Sequence, residues 1–150
     1  MVSIASRADN NWLAALGFLA TACAGTGEPD LARRVYDLLE PYEGRMIAIG
    51  HGISTSGAVA HHRGSLAVVL GDHDAADEHF SAARALHRRM GAPLWLAHTQ
   101  REQSRTLWKR GTPGDREQAR GLQAEAVAAY ERFGLPHRVR QAQEIFTGGA

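Results

Sequence analysis

The chain repeats itself at an offset of 44 residues: Gly27 precedes Ala32 by five residues and Tyr36 by nine, and Gly71 precedes Ala76 and Phe80 by the same intervals. A period of roughly 20 to 50 residues marks stacked supersecondary units, each of which hides its apolar face only against a neighbour. The clearest unit spans residues 62–95 and reads as two antiparallel helices joined at a Gly-Asp turn and closed by Gly-x-Pro. In its second helix Ala76, His79, Phe80, Ala83, Leu86, His87 and Met90 recur at three- and four-residue spacing, which puts them on one face. Asp72 is placed to cap that helix, Arg88 and Arg89 lie near the negative end of its dipole, and Gly91 and Pro93 punctuate its end. In the first helix Val59, Leu66, Val69 and Leu70 form the stripe, and Gly64 lets the two axes approach closely.

The other segments read as further copies. Residues 1–10 are polar and expected to fray, after which Trp12, Leu16, Leu19, Ala20 and Cys23 mark a first amphipathic helix. Leu31, Ala32, Val35, Tyr36 and Leu39 give the second its buried face, and Pro41 stops it. Residues 41–57 form a glycine-rich connection; Met46, Ile47 and Ile49 are apolar enough to need cover, so the loop is expected to lie against the helices, with Ser54 or Ser56 capping the next helix. A third hairpin starts after Pro93, and Asp115 with Gln118 makes a capping-box-like pair at its second helix, whose stripe is Ala119, Leu122, Ala126, Tyr130 and Phe133. A final short helix carrying Val139, Ala142 and Phe146 would cap the stack. The expected fold is therefore one all-α domain over 11–147, with hairpins at about 11–41, 56–91 and 93–134 and a capping helix at about 136–147.

These signatures resemble tetratricopeptide repeats (TPR), whose helix pairs carry a small residue in the first helix and Ala, aromatic, Ala in the second. The matching residues are Ala20, Ala32, Tyr36 and Leu39; Gly64, Ala76, Phe80 and Ala83; and Ser104, Ala119, Gln123 and Ala126. Gln123 departs from the aromatic, and the repeats are longer than the regular motif. From about Leu31 to Pro136 the runs PYEGR, HRGSLAVVLGDHDAADEHFSAARALHRRMGAPLWLAHT and RGTPGDREQA are also similar to the C-terminal helical arm of large actinobacterial ATP-binding regulators, which carry LuxR-type or nucleotide cyclase modules. The resemblance implies a right-handed stack of about three hairpins and a sensor or interaction role. The ATPase phosphate loop, G-x-x-x-x-G-K-[ST], is absent from this chain.

Transferring the repeat register puts first-helix residues on the concave face: His61, His62 and Ser65 from the second repeat, and His98, Arg101, Arg105, Trp108 and Lys109 from the third. Guanidinium groups beside an indole suit an acidic peptide or small carboxylate; the plainer alternative is a solvated helix face. The connection over 43–56 would cover one end of this groove. His51, His61 and His62 open an enzymatic alternative, a small cyclase or isomerase with imidazole as acid or base. Adjacent helical residues point about 100° apart, however, so His61 and His62 do not naturally aim at one point. The spacing offers no metal-ligand motif, and no cofactor is expected.

Composition narrows the partners. A formal charge of +1 gives no global case for nucleic acid, and there is neither a twenty-residue apolar run nor a basic-then-apolar leader, so a cytoplasmic protein is expected. The lone Cys23 falls on an apolar stripe and reads as a small buried hydrophobe. The expected role is a non-catalytic module that binds a peptide, a partner domain or a small acidic ligand in transcriptional regulation, with homodimerisation through apolar end faces as a further expectation.

Overall fold

The computed structural model describes residues 10–50, 52 and 54–147. Among the described residues seven α-helices dominate: α1 (Asn10–Thr26), α2 (Pro29–Leu39), α3 (Val59–Val69), α4 (His73–Arg89), α5 (Pro93–Arg110), α6 (Asp115–Arg132) and α7 (Pro136–Gln143). Helices α1 and α2, α3 and α4, and α5 and α6 pack as consecutive antiparallel hairpins. Each hairpin lies against the next, and α7 packs on α6. No described helix is long and apolar enough to cross a membrane.

The repeat punctuation has one physical cause. Helices α3, α4 and α6 end alike: the N–H groups of Asp72, Ala92 and Leu135 reach back to the carbonyls of Ala67, His87 and Tyr130, while the preceding glycine bonds one carbonyl later. This Schellman arrangement satisfies the last carbonyls and needs a left-handed residue, which glycine supplies. At the start of α4, Asp72 accepts from Ala75 N–H at 2.9 Å. The repeat-matched Ala32, Ala76 and Ala119 are all sealed from solvent. Opposite them, a Cβ on Gly64 would stand 2.7 Å from the Phe80 ring, and Ser104 Oγ donates to the Ala119 carbonyl at 2.7 Å.

The mainly helical fold fits the expected all-α class, but the segment read as a long connection carries, among the described residues, two short paired strands. A short 3-10 turn (Glu40–Tyr42) leads to β1 (Met46–Ile49), which pairs antiparallel with β2 (Ser54–Ala58), with a register irregularity between Met46 and Ala48. Ile47 is fully buried against α1 and α2, which is why this short apolar run holds its place. Consequently Ser54 and Ser56 do not cap α3; they lie in β2, and α3 starts from Ala58 without a side-chain cap. The capping box at α6 is likewise absent. Gly114 is the N-cap, and Asp115 is buried in bonds from Arg110 and Thr112.

The stripe of α1 is rotated from its expected setting: Leu13, Ala14, Leu16, Ala20 and Cys23 are buried, whereas Trp12 and Leu19 are exposed. On α2 the same holds for Leu31. Cys23 is a buried thiol whose pKa burial raises, as a small core residue requires. Phe146 sits in a 3-10 turn after α7, where it stacks on Trp108. The expected frayed end at 1–10 falls on residues outside the described ones, apart from the first helical position at Asn10.

Candidate functional site

Helices α1, α3, α5 and α7 bound a continuous groove in two parts. The first, of about 690 Å3, runs from Thr21 on α1 past His61, His62 and Ser65 on α3 to Trp95, His98 and Arg101 on α5. The second, of about 540 Å3, continues along α5 through Arg105, Trp108 and Lys109 to Gln141 and Ile145. Arg101, Glu102, Arg105 and Arg138 line both parts. Eight of the nine residues singled out from the sequence thus fall on one groove, and His51 lies outside the described residues. Among the described residues of 43–56 none lines either part, and β2 supports the floor from behind.

That support comes from the backbone of β2. His62 Nε2 donates to the Ser56 carbonyl at 2.7 Å, and Ala58 N–H donates to His87 Nε2 at 2.9 Å. Trp95 Nε1 donates to the Thr55 carbonyl at 3.2 Å. Gly57 carries no side chain because the indole of Trp95 lies where its Cβ would be, 2.5 Å away, and its φ of 79° is strained for other residues. Thr99 Oγ1 lies 2.9 Å from His61 Nδ1 and 3.2 Å from His87 Nδ1. On α6, Tyr130 Oη lies 2.7 Å from His98 Nδ1. The rings of His61, Trp95 and His98 meet edge to face in sequence, with centroids 5.4 Å apart at each step.

Helical geometry separates the adjacent histidines as expected, since His61 leans to α5 and His62 turns back to β2. Both nevertheless line the groove, with their rings perpendicular and 5.3 Å apart. Burial lowers the pKa of all four imidazoles. His61 is held well below its usual value by desolvation and then by the neighbouring His62, His87 and His98 and by Arg101; His62 is lowered by burial. Desolvation pushes His87 down to about 4; the same cause, reinforced by Arg138 and Arg101, pushes His98 down to about 4. The floor is therefore neutral near pH 7.

The wall is cationic. Arg101 and Arg105 share the Glu102 carboxylate, so neither is the free charge that i, i+4 spacing suggested. Arg138 forms no ion pair among the described residues; its Nη1 donates to Gln141 Oε1 at 3.2 Å, and Arg101 Nη1 donates to the same oxygen at 3.0 Å. Across both parts of the groove Arg101, Arg105, Lys109 and Arg138 face only Glu102 and Glu144. Trp108 lines the second part, but Phe146 packs on it at 4.3 Å and the Arg116 guanidinium lies 4.6 Å from its ring centre. The indole at the floor is Trp95 instead.

Sequence reading missed Trp95, Arg138, Gln141 and the supporting Tyr130. Among the described residues no group of His, Cys, Asp and Glu is arranged to hold a metal ion. Set against protein-family models, curated proteins and solved structures, the chain matches none of them.

Proposed function

We propose that this protein is a non-catalytic binding module whose concave groove takes a small anionic ligand. The observation that carries the reading is the convergence of Arg101 and Arg138 on one neutral amide oxygen, in a groove where four cations face two carboxylates. Arg101 shares one carboxylate with Arg105 while Arg138 has, among the described residues, only the neutral amide, so the cluster keeps a charge excess that a carboxylate or phosphate relieves, and the planar fork of arginine binds such groups through paired hydrogen bonds. Each part of the groove has the volume of a small-molecule site; aromatic rings with a few polar groups line the first, and charged side chains dominate the second. The successive helical hairpins fit a TPR-like stack. On the resemblance to regulator arms, such a groove would serve as the sensor of a transcriptional regulator.

Acid–base catalysis by His61 or His62 is the weaker alternative. A general base works best with a pKa near the working pH; burial pushes His61 well below its ordinary value and lowers His62, and the two rings turn to different neighbours. Isothermal titration with small carboxylates and phosphates tests the proposal. Arg101→Gln with Arg138→Gln should weaken binding at least tenfold while the fold persists; unchanged affinity removes the groove as the site. Self-association is a separate proposal with its own observation, since Trp12, Phe18, Leu19, Leu31 and Leu38 are exposed on the first hairpin. A monomer at high concentration in sedimentation would remove it.

A further inference from the structure

The groove is polarised by histidine tautomers that the protein itself sets. The Ser56 carbonyl can only accept, so His62 carries its proton on Nε2, and in the neutral ring Nδ1 is a bare acceptor. That atom has no hydrogen-bond partner among the described residues, nor is it one of the polar atoms sealed without a partner. With Nε2 tied to β2, it is the ring nitrogen left for a ligand in the groove that His62 lines. At the other end, the fully buried Tyr130 keeps its phenolic proton, because burial raises its pKa. His98 Nδ1 is the partner of that hydroxyl among the described residues, so it receives the proton, and neutral His98 carries its own on Nε2. The α5–α7 end thus presents donors: His98 Nε2–H, Arg101 and Arg138. The α1–α3 end presents the His62 acceptor beside the Ser65 and Thr21 hydroxyls. Between them lie the rings of Trp95 and His61. The ring centroids step from His62 to Trp95 by 6.2 Å and from Trp95 to His98 by 5.4 Å.

We infer that the ligand is a small aromatic hydroxy acid or a molecule of the same layout, with an anionic group at Arg101, Arg138 and His98, a flat apolar middle against Trp95, and a hydrogen-bond donor at His62 Nδ1. This rests on the anionic-groove reading above and adds the donor end to it. Two ring-to-ring steps match one aromatic ring with short arms, and a site already set to one tautomer loses nothing to rearrangement when the donor arrives. An acceptor that the bound ligand seals from water without giving it a donor discriminates strongly against a ligand lacking the hydroxyl.

The test uses 4-hydroxyphenylacetate, phenylacetate and tyramine as probes by isothermal titration, with long-range 1H–15N spectra of the histidine rings. The hydroxy acid should bind at least tenfold more tightly than phenylacetate, tyramine should bind at least tenfold more weakly than the hydroxy acid, and His62 and His98 should both show the Nε2–H tautomer. In His62→Phe the preference for the hydroxy acid over phenylacetate should disappear, whereas Arg138→Gln should weaken both acids. Equal binding of the two acids to the wild-type protein, or an Nδ1–H tautomer at His62, overturns the inference and leaves the anionic groove standing; the second result applies even where His62→Phe does not fold. If neither acid binds, and the arginine variants alter nothing, the anionic groove itself falls.

Discussion

At the scale of single residues, the groove is held by close contacts that leave little room for substitution. Gly64 is the sharpest case, because a Cβ there meets the Phe80 ring at 2.7 Å inside a sealed core. Gly64→Ala should destabilise the protein by about 1 to 3 kcal/mol through forced repacking, read as a lower urea midpoint; an unchanged midpoint would mean that α3 and α4 separate at no cost. The histidines give a second residue-scale prediction with a defined sign. Their folded pKa values lie below the ordinary value of about 6.5, at about 4 for His87 and His98, so the unfolded chain takes up protons that the folded one refuses. Their contribution to stability is complete above about pH 6.5 and is lost as pH falls towards about 4. A thermal unfolding midpoint measured across this range should drop steadily below about pH 6.5; a flat profile would show that the rings protonate in place. Gly64 was legible in the sequence because a glycine inside a helical stripe asks for a close approach. The tautomers were not, because they depend on Ser56 and Tyr130, which meet the rings only after folding.

Among the elements, the helices were legible and the strands were not. Hairpins announce themselves through three- and four-residue spacing and Gly-x-Pro stops, signals that are local. Residues 46–49 and 54–58 are too short for a period to stand out, and what makes them strands is the burial of Ile47 against α1 together with pairing across a turn. The turn between α5 and α6 carries a similar lesson: Asp115 looked like half of a capping box, but it is drawn into a buried pair. Arg110 donates to both Asp115 oxygens at 2.8 Å and also reaches Asp74 and Asp77 on α4, tying three helices together. The Asp115 pKa is lowered mainly by this guanidinium. Asp115→Ala leaves Arg110 partly uncompensated and strips Thr112 of its acceptor, and should cost about 3 kcal/mol, measured by chemical denaturation. A loss comparable to that of an exposed carboxylate would show that the clamp is dispensable.

For the whole molecule, the register carried over from the TPR resemblance named His61, His62, Ser65, His98, Arg101, Arg105, Trp108 and Lys109, and the structure places these eight side chains along one groove. The register stops at the third hairpin, so it could not bring in Arg138 and Gln141 from α7, and these complete the charged wall. Nor could spacing reveal that Glu102 holds Arg101 and Arg105, or that Phe146 covers Trp108. The central claim is that this assembled wall binds an anion, and its most direct test is a backbone 1H–15N titration with small carboxylates and inorganic phosphate. Shifts should concentrate on α3, α5 and α7 along the groove and vanish in the Arg101→Gln, Arg138→Gln double variant. Shifts scattered over the surface, or identical in the variant, would contradict it.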